Sequence, residues 1–251
     1  MRRSRQSTVR RSRQSTLDVV RGRLAEWRES YALFLVQAST APLCRDMATL
    51  LSFVMDNKII GTSGRGNMPL KAVRAVAPLL SKPPNLEMVI GERTFQRRSE
   101  QEVWPLYLLH ILAEVGRLIQ TGRSRRWKLT AQGEQFLLME PDIQLAYTLA
   151  VWWHRVNWLV SYPFEGMGEN LPYGFSIAAL SQLRAIPTGI DISFTEYANE
   201  LIEVTGLVWG APESSIADDM LRGSVERMII DVLASCEAME CTYKTRTTLG
   251  V

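Results

Sequence analysis

Arg123, Arg125, Arg126 and Lys128 fall within six residues, beside Gly122 and around Trp127. Cations packed so closely have one evident chemistry: they attract phosphate oxygens. A hairpin tip that carries them can lie along a nucleic-acid backbone or enter a minor groove, where positive side chains are favoured. The plainer alternative is a solvated turn, since hairpin tips are polar anyway. Further cations stand upstream: Lys71 and Arg74 follow a Pro-led helix start, and Arg93, Arg97 and Arg98 form a second basic stretch. Arg123, Arg125, Arg126, Lys128, Lys71, Arg74, Arg97 and Arg98 are therefore the candidate nucleic-acid-binding residues.

Other chemistry finds little support. The run Gly61-Thr-Ser-Gly-Arg-Gly66 resembles a phosphate cradle, but no Gly-Lys-Ser/Thr follows it, and a flexible connection is the better reading. His110 and His154 are isolated, and His110 sits in an apolar run, as a satisfied core or rim group would. Cys236 and Cys241 lack the paired spacing of a zinc site. Trp152, Trp153 and Trp158 share one apolar stretch and read as core rather than as a base-stacking platform. Neither a nucleophile elbow nor a zincin or kinase signature appears. The expectation is a non-enzymatic protein with no cofactor and no metal.

Apolar periodicity supplies the elements that must position the cations. Residues 17–38 read as a helix, with a break at 39–42. Residues 43–56 form a second helix and 58–60 a short strand; a Pro69-led helix then runs to residue 80. Residues 85–98 read as irregular. Ser99 to Glu102 has capping-box spacing, yet Pro105 would lie inside the helix it begins, so the helix either starts nearer Val103 or kinks. It runs to Val115, apolar almost all round, and offers few polar groups for reading base edges. A strand, the basic turn, a return strand and a Thr-capped helix at 133–139 follow, then a Trp-rich helix at 142–158. That order is the layout of a winged-helix unit.

A faint duplication at an offset of 121 residues relates 108–121 to 229–242, each a helical run switching to alternation. It predicts a second unit over 175–251: helices at 176–186, 195–204 (capped by Thr195) and 225–235, strands at 190–194 and 238–243, and an acidic loop at 213–219. The second wing lacks its return strand and closing helix. Residues 163–174 read as the linker. The first unit, with its N-terminal and Trp-rich closing helices, spans 17–160. The fold class expected is mainly α with small β-hairpins (α+β), as tandem winged-helix units.

The net charge of +3 conceals segregation. Residues 1–28 carry nine Arg against two acids, and residues 93–128 eight cations against three acids. Residues 129–251 carry six cations against sixteen acids. A polyanion is drawn to the front and repelled by the rear. Residues 1–16 hold one heptapeptide twice (Arg-Arg-Ser-Arg-Gln-Ser-Thr) and should be a disordered basic arm. That arm reads as a phosphate-binding segment, as a coding duplication or misassigned start, or as an organellar presequence. At 46% hydrophobic and 22% charged residues the composition is that of an ordinary globular protein. Its apolar runs are too short to span a bilayer, and three sparse cysteines fit reduced thiols in a cytoplasmic setting.

Together, Gly61 to Asn67 with the Pro69 helix, Gly116-Arg-Leu-Ile119, Leu129-Thr-Ala-Gln-Gly133 and the 144–153 helix resemble the accessory winged-helix region associated with XPB-type DNA-repair helicases and its stand-alone bacterial relatives. The resemblance covers about residues 45–160 and departs in the 82–102 insertion and the missing helicase motifs. It implies DNA binding without an ATPase engine. The leading expectation is low-specificity binding of duplex DNA by the arm and the wing, with the acidic second unit facing a protein partner or a second copy. The alternative is an assembly scaffold that binds no nucleic acid.

Overall fold

The computed structural model describes residues 36, 38–64, 66–90, 93–122, 124–161, 171–187, 189–210 and 217–242. Helical residues 38–40 break at Ala41, and Pro42 opens α1 (Pro42–Asp56), where its missing N–H is not needed. Leu43, Met47, Leu50, Leu51 and Val54 recur at helical spacing and are buried. Pro69 stands just outside α2 (Leu70–Val76), as its N-cap rather than its first helical residue, and a 3-10 turn (Ala77–Leu79) ends this segment.

Two antiparallel strands follow, β1 (Glu87–Ile90) and β2 (Arg93–Gln96), where the sequence had suggested irregular chain. The register pairs Ile90 with Arg93, which leaves a two-residue connection. Beyond a short turn (Glu100–Glu102), α3 (Trp104–Val115) starts late enough to place Pro105 in its first turn, so no kink is needed. Every residue from Leu106 to Ala113 is buried. Strands β3 (Ile119–Thr121) and β4 (Trp127–Leu129) pair antiparallel. Thr130 then caps α4 (Ala131–Leu137), its hydroxyl accepting from the Gly133 N–H at 3.0 Å.

The Trp-rich segment is two helices, α5 (Pro141–His154) and α6 (Trp158–Ser161), rather than one running to residue 158. The break at Arg155 swings Trp158 back onto Trp152. Their rings stack 5.0 Å apart at 15°, and the Trp158 indole N–H donates to the Trp152 carbonyl at 2.8 Å. Phe175, the first residue of α7 (Phe175–Ala185), meets Trp158 edge-on at 6.0 Å. The tryptophans are core joining the front of the chain to its rear.

The rear is helical among the described residues: α8 (Phe194–Thr205), α9 (Ala217–Val225), a π-helical stretch (Glu226–Ile230) and α10 (Asp231–Ser235). Residues 190–193 are not a strand, because no neighbouring edge receives them. Ile190 and Ile192 are exposed, and Ser193, not Thr195, caps α8 by accepting from the Glu196 N–H. Residues 238–242 are likewise unpaired, so the repeat at offset 121 reproduces the helix but not the hairpin. Asp218 and Asp219, expected in a loop, lie in the first turn of α9, where acids suit the helix dipole. The basic arm, most of the first expected helix and most of the expected linker lie outside the described residues. One continuous hydrophobic cluster runs from Ala38 to Cys236, and Thr40 donates to the Glu237 carboxylate at 2.5 Å. Among the described residues the protein is mainly helical with two small antiparallel strand pairs, and no described helix is long and apolar enough to cross a membrane.

Candidate nucleic-acid interface

The β3–β4 hairpin sorts its side chains by strand alternation. Ile119 and Trp127 point inward and are buried, while Gln120 and its cross-strand partner Lys128 are exposed. Arg126 precedes Trp127 and is also exposed, beside Ile60, to which it is bridged antiparallel. Two more backbone bonds tie the hairpin to this third segment: Gly61 N–H to the Arg125 carbonyl at 2.8 Å, and Trp127 N–H to the Ile59 carbonyl at 3.0 Å. The outer face thus presents Arg126, Lys128 and Gln120 in neighbouring positions on a three-segment ribbon.

Arg125 sits at the turn with φ of +56°, its N–H donating to the Gly122 carbonyl at 2.7 Å. A residue with a Cβ is strained there by about 1–2 kcal/mol, and most turns of this kind place glycine or asparagine at such a position. This turn keeps a cation instead. Arg123 lies outside the described residues.

A buried knot beneath the hairpin fixes its angle. The Trp127 indole N–H donates to the Gly66 carbonyl at 2.9 Å. On the other side the indole lies against His110, which in turn hydrogen-bonds the Glu100 carboxylate through Nδ1 at 3.1 Å. Glu100, only 1% exposed, also accepts the Met68 N–H at 2.6 Å. The glycine loop that superficially resembled a phosphate cradle is therefore the seat of the wing: a Cβ on Gly61 would stand 2.2 Å from the Gly66 carbonyl oxygen. His110 is a core residue, as its apolar surroundings in the sequence implied.

The remaining candidates separate by exposure. Lys71 and Arg74 are exposed on α2, which the Gly61–Gly66 loop enters directly. Arg93 and Arg98 are exposed, whereas Arg97 is half-buried with its Nε atom unpartnered. Among the described residues, none of Lys71, Arg74, Arg93, Arg97, Arg98, Arg125, Arg126 and Lys128 makes an ion pair within the chain. These charges are not spent on holding the fold.

One cation escaped the sequence reading. Arg117, in left-handed backbone (φ +56°) at the end of α3, is exposed and lines an open groove of about 510 Å³ at the base of the hairpin. Glu114, Gln120, Thr121, Thr130 and Gln132 line it too. Only the helix-ending Gly116-Arg117 step could have signalled it. No group of three metal-ligating side chains occurs among the described residues. Compared with known proteins, the chain matches no protein family, no curated protein and no solved structure.

Proposed function

We propose that this protein binds nucleic acid without enzymatic activity, duplex DNA foremost, through a winged-helix unit whose wing is the β3–β4 hairpin. The observation that carries the reading is the exposed set Arg125, Arg126 and Lys128, without an ion pair among the described residues, on a ribbon anchored from below by Trp127. The element order supports it: helix, bridged segment, helix, helix, hairpin. Because every residue of α3 from Leu106 to Ala113 is buried, the helix has no central face to offer a major groove, and recognition falls to phosphate contacts. Such contacts give affinity with low sequence specificity. The basic N-terminal arm adds charge to the same end of the chain.

Anisotropy titration of a labelled duplex across a salt series tests this. Each phosphate neutralised contributes about 0.9 to the slope of log K against log salt, so replacing Arg125, Arg126 and Lys128 by Ala should lower the slope by about 2–3. An unchanged slope and affinity would remove the wing from the interface.

A protein-interaction role for the rear half has its own support. Ile177 and Leu180 are exposed at helical spacing on α7, and Tyr173, in the turn just before it, is fully exposed. Concentration-dependent mass by light scattering distinguishes a self-associating chain from one that stays monomeric through this face.

A further inference from the structure

The β1–β2 hairpin has no place in the wing and makes a site of its own. An isolated two-stranded hairpin is marginal in water and needs a surface to pack on. Here all four residues of β2 are exposed, and the base of the hairpin is covered where Leu86 packs on the core and accepts the Arg97 N–H. The register divides the two faces. Met88 lies directly opposite Phe95, and alternation puts Arg93 and Arg97 on the face of Phe95. The other face holds the Glu87–Gln96 pair, in which the Gln96 amide donates to the Glu87 carboxylate at 2.7 Å. That bond occupies the acid on the face turned away from Phe95.

One face therefore interleaves cations with apolar and aromatic side chains: Arg93, Phe95 with Met88, then Arg97. Both apolar side chains remain 36% exposed, and among the described residues neither arginine makes an ion pair. A solvated hairpin has no use for an exposed Met–Phe pair. A purely apolar protein partner would leave the flanking cations without a role. Unpaired nucleic acid satisfies both: bases stack on the aromatic ring, and phosphates meet the guanidinium groups.

We propose that the β1–β2 hairpin is a second nucleic-acid contact, taking unpaired bases on Met88 and Phe95 and their phosphates on Arg93 and Arg97. The inference rests on the wing reading, since it makes the preferred ligand a duplex that continues into a single strand.

The test compares a blunt duplex with the same duplex carrying a single-stranded extension, using the full chain and anisotropy. The extended DNA should bind more tightly. Phe95→Ala should weaken its binding about tenfold, as expected for loss of one stacked base, and Phe95→Trp should restore it. A 2-aminopurine in the extension should be quenched by the wild-type chain and the Trp variant but not by the Ala variant. If Phe95→Ala binds the extended DNA as tightly as wild type, while the wing triple variant weakens both DNAs, the hairpin proposal falls and the wing reading stands. If the wild-type chain binds neither DNA, both fall. A Phe95-dependent dimer seen by light scattering, with DNA binding unchanged, would assign the face to a second copy and overturn the proposal. Since Phe95 is outside the core, unchanged thermal melting of its variants verifies that they are folded.

Discussion

The imidazole of His110 lies 4.2 Å from the indole of Trp127, the two rings tilted by 41°. With Glu100 behind the imidazole and the Gly66 carbonyl on the indole N–H, this contact joins the loop before α2, the turn before α3, α3 itself and β4. Trp127 is the side chain beneath the wing around which these four segments meet.

Trp127→Ala should accordingly destabilise the protein by about 3–5 kcal/mol, the range for emptying a buried aromatic site. Trp127→Phe keeps a ring against His110 but strands the Gly66 carbonyl, at about 1–2 kcal/mol. Urea denaturation reads both. A midpoint for Trp127→Ala equal to that of the wild type would show that the wing does not need this anchor.

Arg125 sets stability against binding. Arg125→Gly relieves the left-handed strain at the turn and should raise stability by about 0.5–1 kcal/mol. The same change removes a cation and should lower the salt slope of duplex binding by about 1. A salt slope left unchanged by Arg125→Gly would mean that this arginine meets no phosphate.

Two glycines should respond oppositely to alanine. A Cβ on Gly133 would stand 2.2 Å from the Leu118 carbonyl oxygen and 2.6 Å from Leu129 Cδ1, so α4 must move off the wing. Gly133→Ala should cost about 1–3 kcal/mol. Gly223, inside α9, has open space around the same position, and Gly223→Ala should stabilise by about 0.4–1 kcal/mol. Thermal melts of the pair settle the matter; equal shifts of one sign would contradict the packing.

Asp231 is pushed up to about 6, first by burial and then by the Glu226 charge, with Arg227 opposing. The folded state therefore holds this proton more tightly than the unfolded chain does. Stability from this group is greatest below about pH 4 and declines as pH rises toward 6. Asp231→Asn should stabilise by about 1–2 kcal/mol at pH 8 and flatten the profile between those limits. A variant less stable than wild type at pH 8 would show that the carboxylate has a partner worth keeping.

The sequence was legible where a residue's type forces geometry. Pro42, Thr130 and the apolar stripe of α1 place their helices whatever the surroundings. The cations of the wing stand out because charge density needs no tertiary partner to be seen. Strands were harder, since alternation identifies a strand only if an edge is there to receive it. Ile190 and Ile192 alternate and pair with nothing, whereas residues 87–96 do pair. Their signal is in the sequence: two β-prone runs, Met-Val-Ile and Arg-Thr-Phe, flank Gly91-Glu92, a glycine-led pair of the kind that favours hairpins. The surrounding charges and polar residues hid it. The Glu100–His110–Trp127 knot was invisible because its members gather from separate elements. Arg117 was read as part of a helix-ending motif rather than as a surface charge.

Thr40 reaches across 197 positions of chain to Glu237, at the opening turn of the first described helix bundle. Segments far apart in the chain must therefore meet before this tie can form. Closing so long a loop is entropically slow. The apolar flank of α1 meanwhile finds cover from nearer neighbours, α3, β4 and α5, so this tie can form last without leaving that face bare.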